Sequence, residues 1–152
     1  MSDSTVRSVG ATTLQKVTAA VGAVFLLVGI LGFIPGITTH YDTMSFAGHD
    51  SMAKLLGIFE VSILHNLVHL AFGVAGLIAA RRWSSSRAYL IAGGIIYLVL
   101  FIYGLVVDKT SSANFVPVNT ADNWLHVILA VGMIALGVLL SRNARTGAAA
   151  RV

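Results

Sequence analysis

Three histidines, at positions 65, 69 and 126, carry most of the chemistry open to this chain. Imidazoles four residues apart share one face of a helix, and such a pair can chelate copper, zinc, iron or nickel. A histidine on each of two facing helices can instead ligate haem iron. Because histidine titrates near neutral pH, a proton relay is a third use. Around His65, His69 and His126 stand Glu60, Ser62, Asn66, Asp122 and Asn123, a candidate polar cluster. The leading expectation is plainer: the histidines bond to Asn66, Asn123 or backbone carbonyls and lock helices together, at about 0.6 kcal/mol per bond.

Spacing says which way these residues face. Ser62, His65, His69, Gly73, Gly76 and Ala80 follow steps of three and four, so they form one stripe of small and polar residues, flanked by Asn66. Asp122, His126, Ala130, Met133 and Gly137 repeat the pattern further on. Small residues let helix backbones approach and polar ones avoid lipid, so both stripes are expected to face other helices. Gly29, Gly32 and Gly36, and then Gly93, Gly94 and Gly104, supply matching small surfaces. His65 lies 16 residues before Arg81 and His126 lies 16 before Arg142, which puts these two at similar depth. Glu60, about half a turn from His69 on a regular helix, reads as an interfacial or loop-paired carboxylate.

Other chemistry is excluded or weak. There is no cysteine, hence no disulfide, thiolate metal site or cysteine nucleophile. No glycine-rich phosphate loop, GxSxG elbow, HExxH or dinucleotide fingerprint occurs, and the carboxylates are too scattered for paired acid–base work. Non-enzymatic function is therefore expected, with no cofactor favoured although metal or haem remains an alternative. His40, Met44, His49 and Met52 match no strong ligand pattern. The net charge is +4, but its basic residues sit at the ends of apolar runs, so no nucleic-acid partner is expected.

These residues need elements to hold them. Of 152 residues 57% are hydrophobic and 11% charged, and the mean hydropathy is +0.86. A soluble domain of this size cannot hide so much apolar surface. Four apolar runs, at 14–36, 55–80, 88–107 and 123–140, approach or exceed the ~20 residues that cross a bilayer. The first is too long for a signal-peptide core and is read as an uncleaved helix. The expected fold is all-α: an integral membrane four-helix bundle over 14–140, with cytoplasmic tails at 1–13 and 141–152.

Orientation follows from the basic residues. Arg7, Lys16, Arg81, Arg82, Arg87, Arg142, Arg145 and Arg151 fall on one side, against Lys54 and Lys109 on the other. The positive-inside rule then predicts N-in, C-in with four crossings. Asp50 or Ser51 is a candidate cap for the second helix, and Thr120 or Asp122 for the fourth. Trp83 and Trp124 suit interfacial belts at opposite faces. Asn66-Leu-Val-His69 matches Asn123-Trp-Leu-His126, so the chain reads as two parallel hairpin half-repeats, an alignment that pairs His69 rather than His65 with His126.

The segments NLVHLAFGVAGLIAARR, IAGGIIYLVLFIYGLV and PVNTADNWLHVILAVGMIALGV resemble the domain of unknown function 4383 family, over roughly residues 18–140. The resemblance implies a small bacterial plasma-membrane protein of four helices, and it brings no catalytic residue. The expected role is a structural or accessory subunit within the lipid bilayer, in a homo-oligomer or a larger membrane complex. The alternatives are a metal- or haem-binding protein using His65, His69 and His126, and an oligomeric transporter or channel component.

Overall fold

The computed structural model describes residues 11–149, with side chains from residue 11 to residue 142. Four helices dominate: α1 (Thr13–Leu31), α2 (Ile63–Ala79), α3 (Trp83–Val106) and α4 (Thr120–Ala149). Three of them are long and apolar enough to cross a membrane; α2, with 17 residues, is shorter. It runs back along α1 nonetheless. Gln15 at the start of α1 donates Nε2–H to the carbonyl of Ala80, just past the end of α2 (3.1 Å). At the opposite end Gly32, the C-cap of α1, abuts Asn66 in the first turn of α2. Helix α2 therefore spans nearly the whole length of α1, about 26 Å at 1.5 Å per residue.

Glycine makes the hairpins tight. A Cβ on Gly76 would lie 2.8 Å from Gly22 Cα, and one on Gly22 would lie 3.0 Å from Gly73 O, so α1 and α2 meet backbone to backbone. Helices α3 and α4 do the same, with a Cβ on Gly94 falling 2.9 Å from Ala130 O. Lipid tails are as apolar as leucine, so close van der Waals contact of this kind holds the helices together. The two hairpins touch each other far less than the helices within each do. Phe25, Tyr97, Leu90, Ala130 and Met133 fill the space between them.

The helix limits differ from the sequence expectation for identifiable reasons. The first helix ends at Leu31, not 36, because Pro35 lacks an N–H and its ring would strike the Leu31 carbonyl in a continued helix. The second starts at Ile63, not 55. Residues 55–60 instead make the turn and outer strand of a small antiparallel sheet, so the fold is not purely all-α. Its strands are β1 (Thr38–Thr39), β2 (Lys54–Leu55) and β3 (Phe59–Glu60), in that order across the sheet. Leu56 and Gly57 turn the chain with φ of 55° and 73°. Glycine takes that conformation freely, whereas at Leu56 it costs roughly 1 kcal/mol. The third helix starts at Trp83 rather than 88, absorbing most of the expected loop, and Ser86 Oγ bonds back to Ala79 O (3.1 Å). The fourth runs from Thr120 to Ala149. The expected tail at 141–152 is thus helical as far as it is described, while most of the tail at 1–13 lies outside the described residues.

The sheet belongs to a cap over one end of the bundle. Ala53, Leu55 and Val61 are buried there against Val28, Leu31, Ile37, Met44 and Phe59. The cap satisfies the first N–H groups of α2, which would otherwise be orphaned. Ile63 N donates to Ser45 O (3.1 Å), Leu64 N to Phe46 O (2.8 Å), and His65 N to the hydroxyl of Ser62 (3.1 Å). Ser62 is thus the N-cap of α2, not Asp50 or Ser51; Ser51 Oγ instead donates to Val61 O (2.5 Å).

Candidate functional site in the capped half of the bundle

The start of α4 carries a densely bonded motif, Asn119-Thr120-Ala121-Asp122. Asn119 Oδ1 accepts from Asp122 N (3.0 Å), and Asp122 Oδ2 accepts from Asn119 N (2.9 Å). This reciprocal pair is a capping box, so Asn119 is the N-cap, not Thr120 or Asp122. Each residue also reaches the sheet. Asp122 Oδ2 accepts from Glu60 N (3.1 Å), and Asn119 Nδ2 donates to Ile58 O (2.7 Å). A third tie, Gly48 N to Phe115 O (2.8 Å), joins the two loops of the cap. The buried Asp122 carboxylate is therefore a structural clamp. Glu60 lies in β3, half-buried, and contributes its backbone to that clamp.

Asn66 and Asn123 take matching positions. Each is buried in the first turns of its helix against a glycine near the end of the partner helix: Asn66 against Gly32, Asn123 against Gly104. Asn66 Nδ2 lies 3.9 Å from the sulfur of Met44, and both Oδ1 atoms lack a hydrogen-bond partner. Neither asparagine bonds to a histidine; among the described residues the only such tie to the backbone is His69 Nδ1 to His65 O (3.0 Å).

The histidines themselves belong to a continuous set of rings. His65 and His69 stack, with centroids 4.4 Å apart and planes 13° from parallel. His69 meets Phe25 (5.7 Å), Phe25 stacks on Tyr97 (5.6 Å, 6°), and Tyr97 meets His126 (5.5 Å). Two cavities, of about 250 Å³ and 110 Å³, flank this set, and both are lined by His65, His69, Tyr97 and His126. The larger opens between α2 and α3 past Val68 and Ile96. The smaller lies beneath the sheet, where Asp122 joins its wall. Almost everything else in both is apolar.

Tyr97 is the member that the polar pattern of the sequence left out. It is buried and stands one turn beyond Gly93 and Gly94, on the helix face those glycines mark for close packing. That spacing was the available signal.

This arrangement bears on what the histidines can hold. Because a carbonyl can only accept, His69 Nδ1 must carry a proton, which leaves Nε2 as the acceptor of the neutral ring. Stacking sets the His65 and His69 rings face to face, whereas chelation needs lone pairs converging on one point. Among the described residues no group of three or more His, Cys, Asp or Glu side chains is placed to hold a metal ion. His126 is only 4% exposed, and its Nδ1 has no protein partner. Of the loop residues, His49 lies 3.4 Å from Asp50, and Met52 is exposed.

The opposite end of the bundle is basic. Arg81 and Arg82 occupy the turn between α2 and α3, and Arg87 and Arg142 line one groove there together with Ser141.

No curated protein and no solved structure matches the chain. Residues 15–139 match the family Domain of unknown function (DUF4383). With its multiple membrane-spanning helices, its capped polar half and the NTAD clamp all inside that match, the chain belongs to this family of multi-pass bacterial membrane proteins.

Proposed function

We propose that this protein is a non-enzymatic accessory subunit, one that docks a transmembrane helix of a neighbouring subunit in the groove between α1 and α4. One observation carries the reading. Each of the other glycines within the helices, as far as side chains are described, would bring a Cβ within 3.0 Å of a neighbouring helix or loop atom, whereas Gly132 has nothing within 4 Å. A glycine inside a helix costs about 1 kcal/mol relative to alanine and is ordinarily repaid by close packing. At Gly132 a groove of about 340 Å³ takes the place of that packing, walled by Val21, Val24 and Phe25 of α1 and by Ile128 and Leu136 of α4. Small residues in an apolar groove are what a second helix backbone approaches most closely.

The basic end is assigned to the cytoplasm by the positive-inside rule, giving N-in, C-in. The paired contacts Asn66–Gly32 and Asn123–Gly104 support reading the two hairpins as parallel half-repeats.

The test is native mass spectrometry of the protein extracted with its surrounding lipid. The expected mass exceeds that of one 16.0 kDa chain plus lipid. Gly132→Leu, whose Cβ meets nothing within 4 Å in its own chain, projects into the groove and should reduce the mass to one chain. A wild-type protein that is always a single chain would refute the reading.

A further inference from the structure

The larger cavity beside the ring set is nearly all apolar at its surface, but rings that carry polar atoms stand in its wall. It is lined by three imidazoles and a phenol among Leu, Val, Ile and Phe side chains. His126 stands in the wall as well, although its unpaired Nδ1 is buried out of reach of the cavity. His69, locked by the His65 carbonyl, presents Nε2 as an acceptor and so asks for a donor. A hydroxyl is a small neutral group that gives and takes at once. It can donate to one imidazole and accept from another, or from Tyr97.

Size and access narrow the class. A cavity of about 150 Å³ accepts benzene; the 250 Å³ found here suits one ring with a short side chain. Tyr97 and Phe115 in its wall provide aromatic surface for edge or face contact with such a ring. The rim residues Val68, Ile96 and Phe115 are each about half exposed, so the mouth is lateral and apolar. We infer that His69, Tyr97 and His126 form a binding site for a small lipid-soluble phenol, which enters sideways from the membrane and is held by its hydroxyl. The site lies between α2 and α3, apart from the α1–α4 groove, and stands whether or not that groove docks a partner.

The experiment uses the full chain in lipid nanodiscs, with ¹⁵N-labelled histidine, titrated with para-propylphenol, para-propylanisole and propylbenzene. These share size and apolar character, but only the first has a hydroxyl to donate. The phenol should bind at least about tenfold more tightly than either analogue, since removing the donor leaves a buried imidazole unpaired. It should also shift the nitrogen resonances of His69 and His126. Val68→Phe, at the half-exposed rim, occupies the cavity without altering any of the three site residues, and it should abolish the effect. Equal binding of all three probes, no binding of any, or phenol binding that survives Val68→Phe would each overturn the assignment.

Discussion

Replacing Asp122 separates the geometry of the clamp from its charge. One oxygen, Oδ2, accepts from both Glu60 N and Asn119 N, at 3.1 and 2.9 Å, and the residue is only 2% exposed. In Asp122→Ala both amides lose their acceptor where little water can reach them. At roughly 1–3 kcal/mol for each buried orphan, and with partial relaxation of the cap, a loss of about 3 kcal/mol is expected. In Asp122→Asn the carboxamide oxygen can occupy the position of Oδ2 and keep both bonds. No acceptor is lost, so the loss should be at most about 1 kcal/mol. Chemical denaturation in micelles gives the two stabilities, and hydrogen exchange at the Glu60 amide reports the clamp locally. That amide should be protected in wild type and in Asp122→Asn but exposed in Asp122→Ala. Equal destabilisation by both substitutions, or unchanged protection in Asp122→Ala, would refute the clamp.

Glycine substitutions should sort by what they meet. Gly32→Ala and Gly104→Ala drive a methyl into Asn66 and Asn123 respectively and should each cost about 1–3 kcal/mol, whereas Gly132→Ala should leave the single chain as stable or up to about 1 kcal/mol more stable. Thermal unfolding in detergent distinguishes them. Ser62→Ala removes the N-cap of α2 and should lower stability by about 1 kcal/mol, with faster exchange at the His65 amide. In the second loop of the cap, the backbone N–H and hydroxyl of Thr110 hold the Asp108 carboxyl below its ordinary range. A depressed folded value means that this turn is stabilised above the unfolded carboxyl range and released as pH falls through the folded value. The Thr110 amide resonance should follow that single acid titration and stay flat through neutral pH.

Much of the helical part was legible because lipid is a demanding solvent. Apolar runs of membrane length must be helices, since no water is present to satisfy an open backbone. Steps of three and four marked His65 and His69 as one helix face, and a polar face has reason to avoid acyl chains. The cap was not legible in the same way. In KLLGIFE every residue but the ends is apolar or glycine, and a short apolar run cannot be told from helix by periodicity alone. What decides it is a turn at Leu56 and Gly57 and a bond from Glu60 N to a carboxylate 62 residues away. Neither is a local property. The capping box could have been read from Asn119-x-x-Asp122. Its second use, reaching across to Ile58 and Glu60, could not, because it depends on how α4 sits against the sheet. Tyr97 was hidden for a further reason: a tyrosine in an apolar helix looks like ordinary filling until its neighbours are known.

The most direct test of the account is where the imidazoles point in a real bilayer. Solid-state NMR on protein with labelled histidine and tyrosine, reconstituted in lipid, reports through-space contacts of each ring. Cross-peaks between the His126 and Tyr97 rings, whose centroids lie 5.5 Å apart, are predicted, with little transfer from lipid acyl protons to His126. Strong acyl contacts at His126 and no contact with Tyr97 would contradict the inward-facing ring set on which the whole description of the site rests.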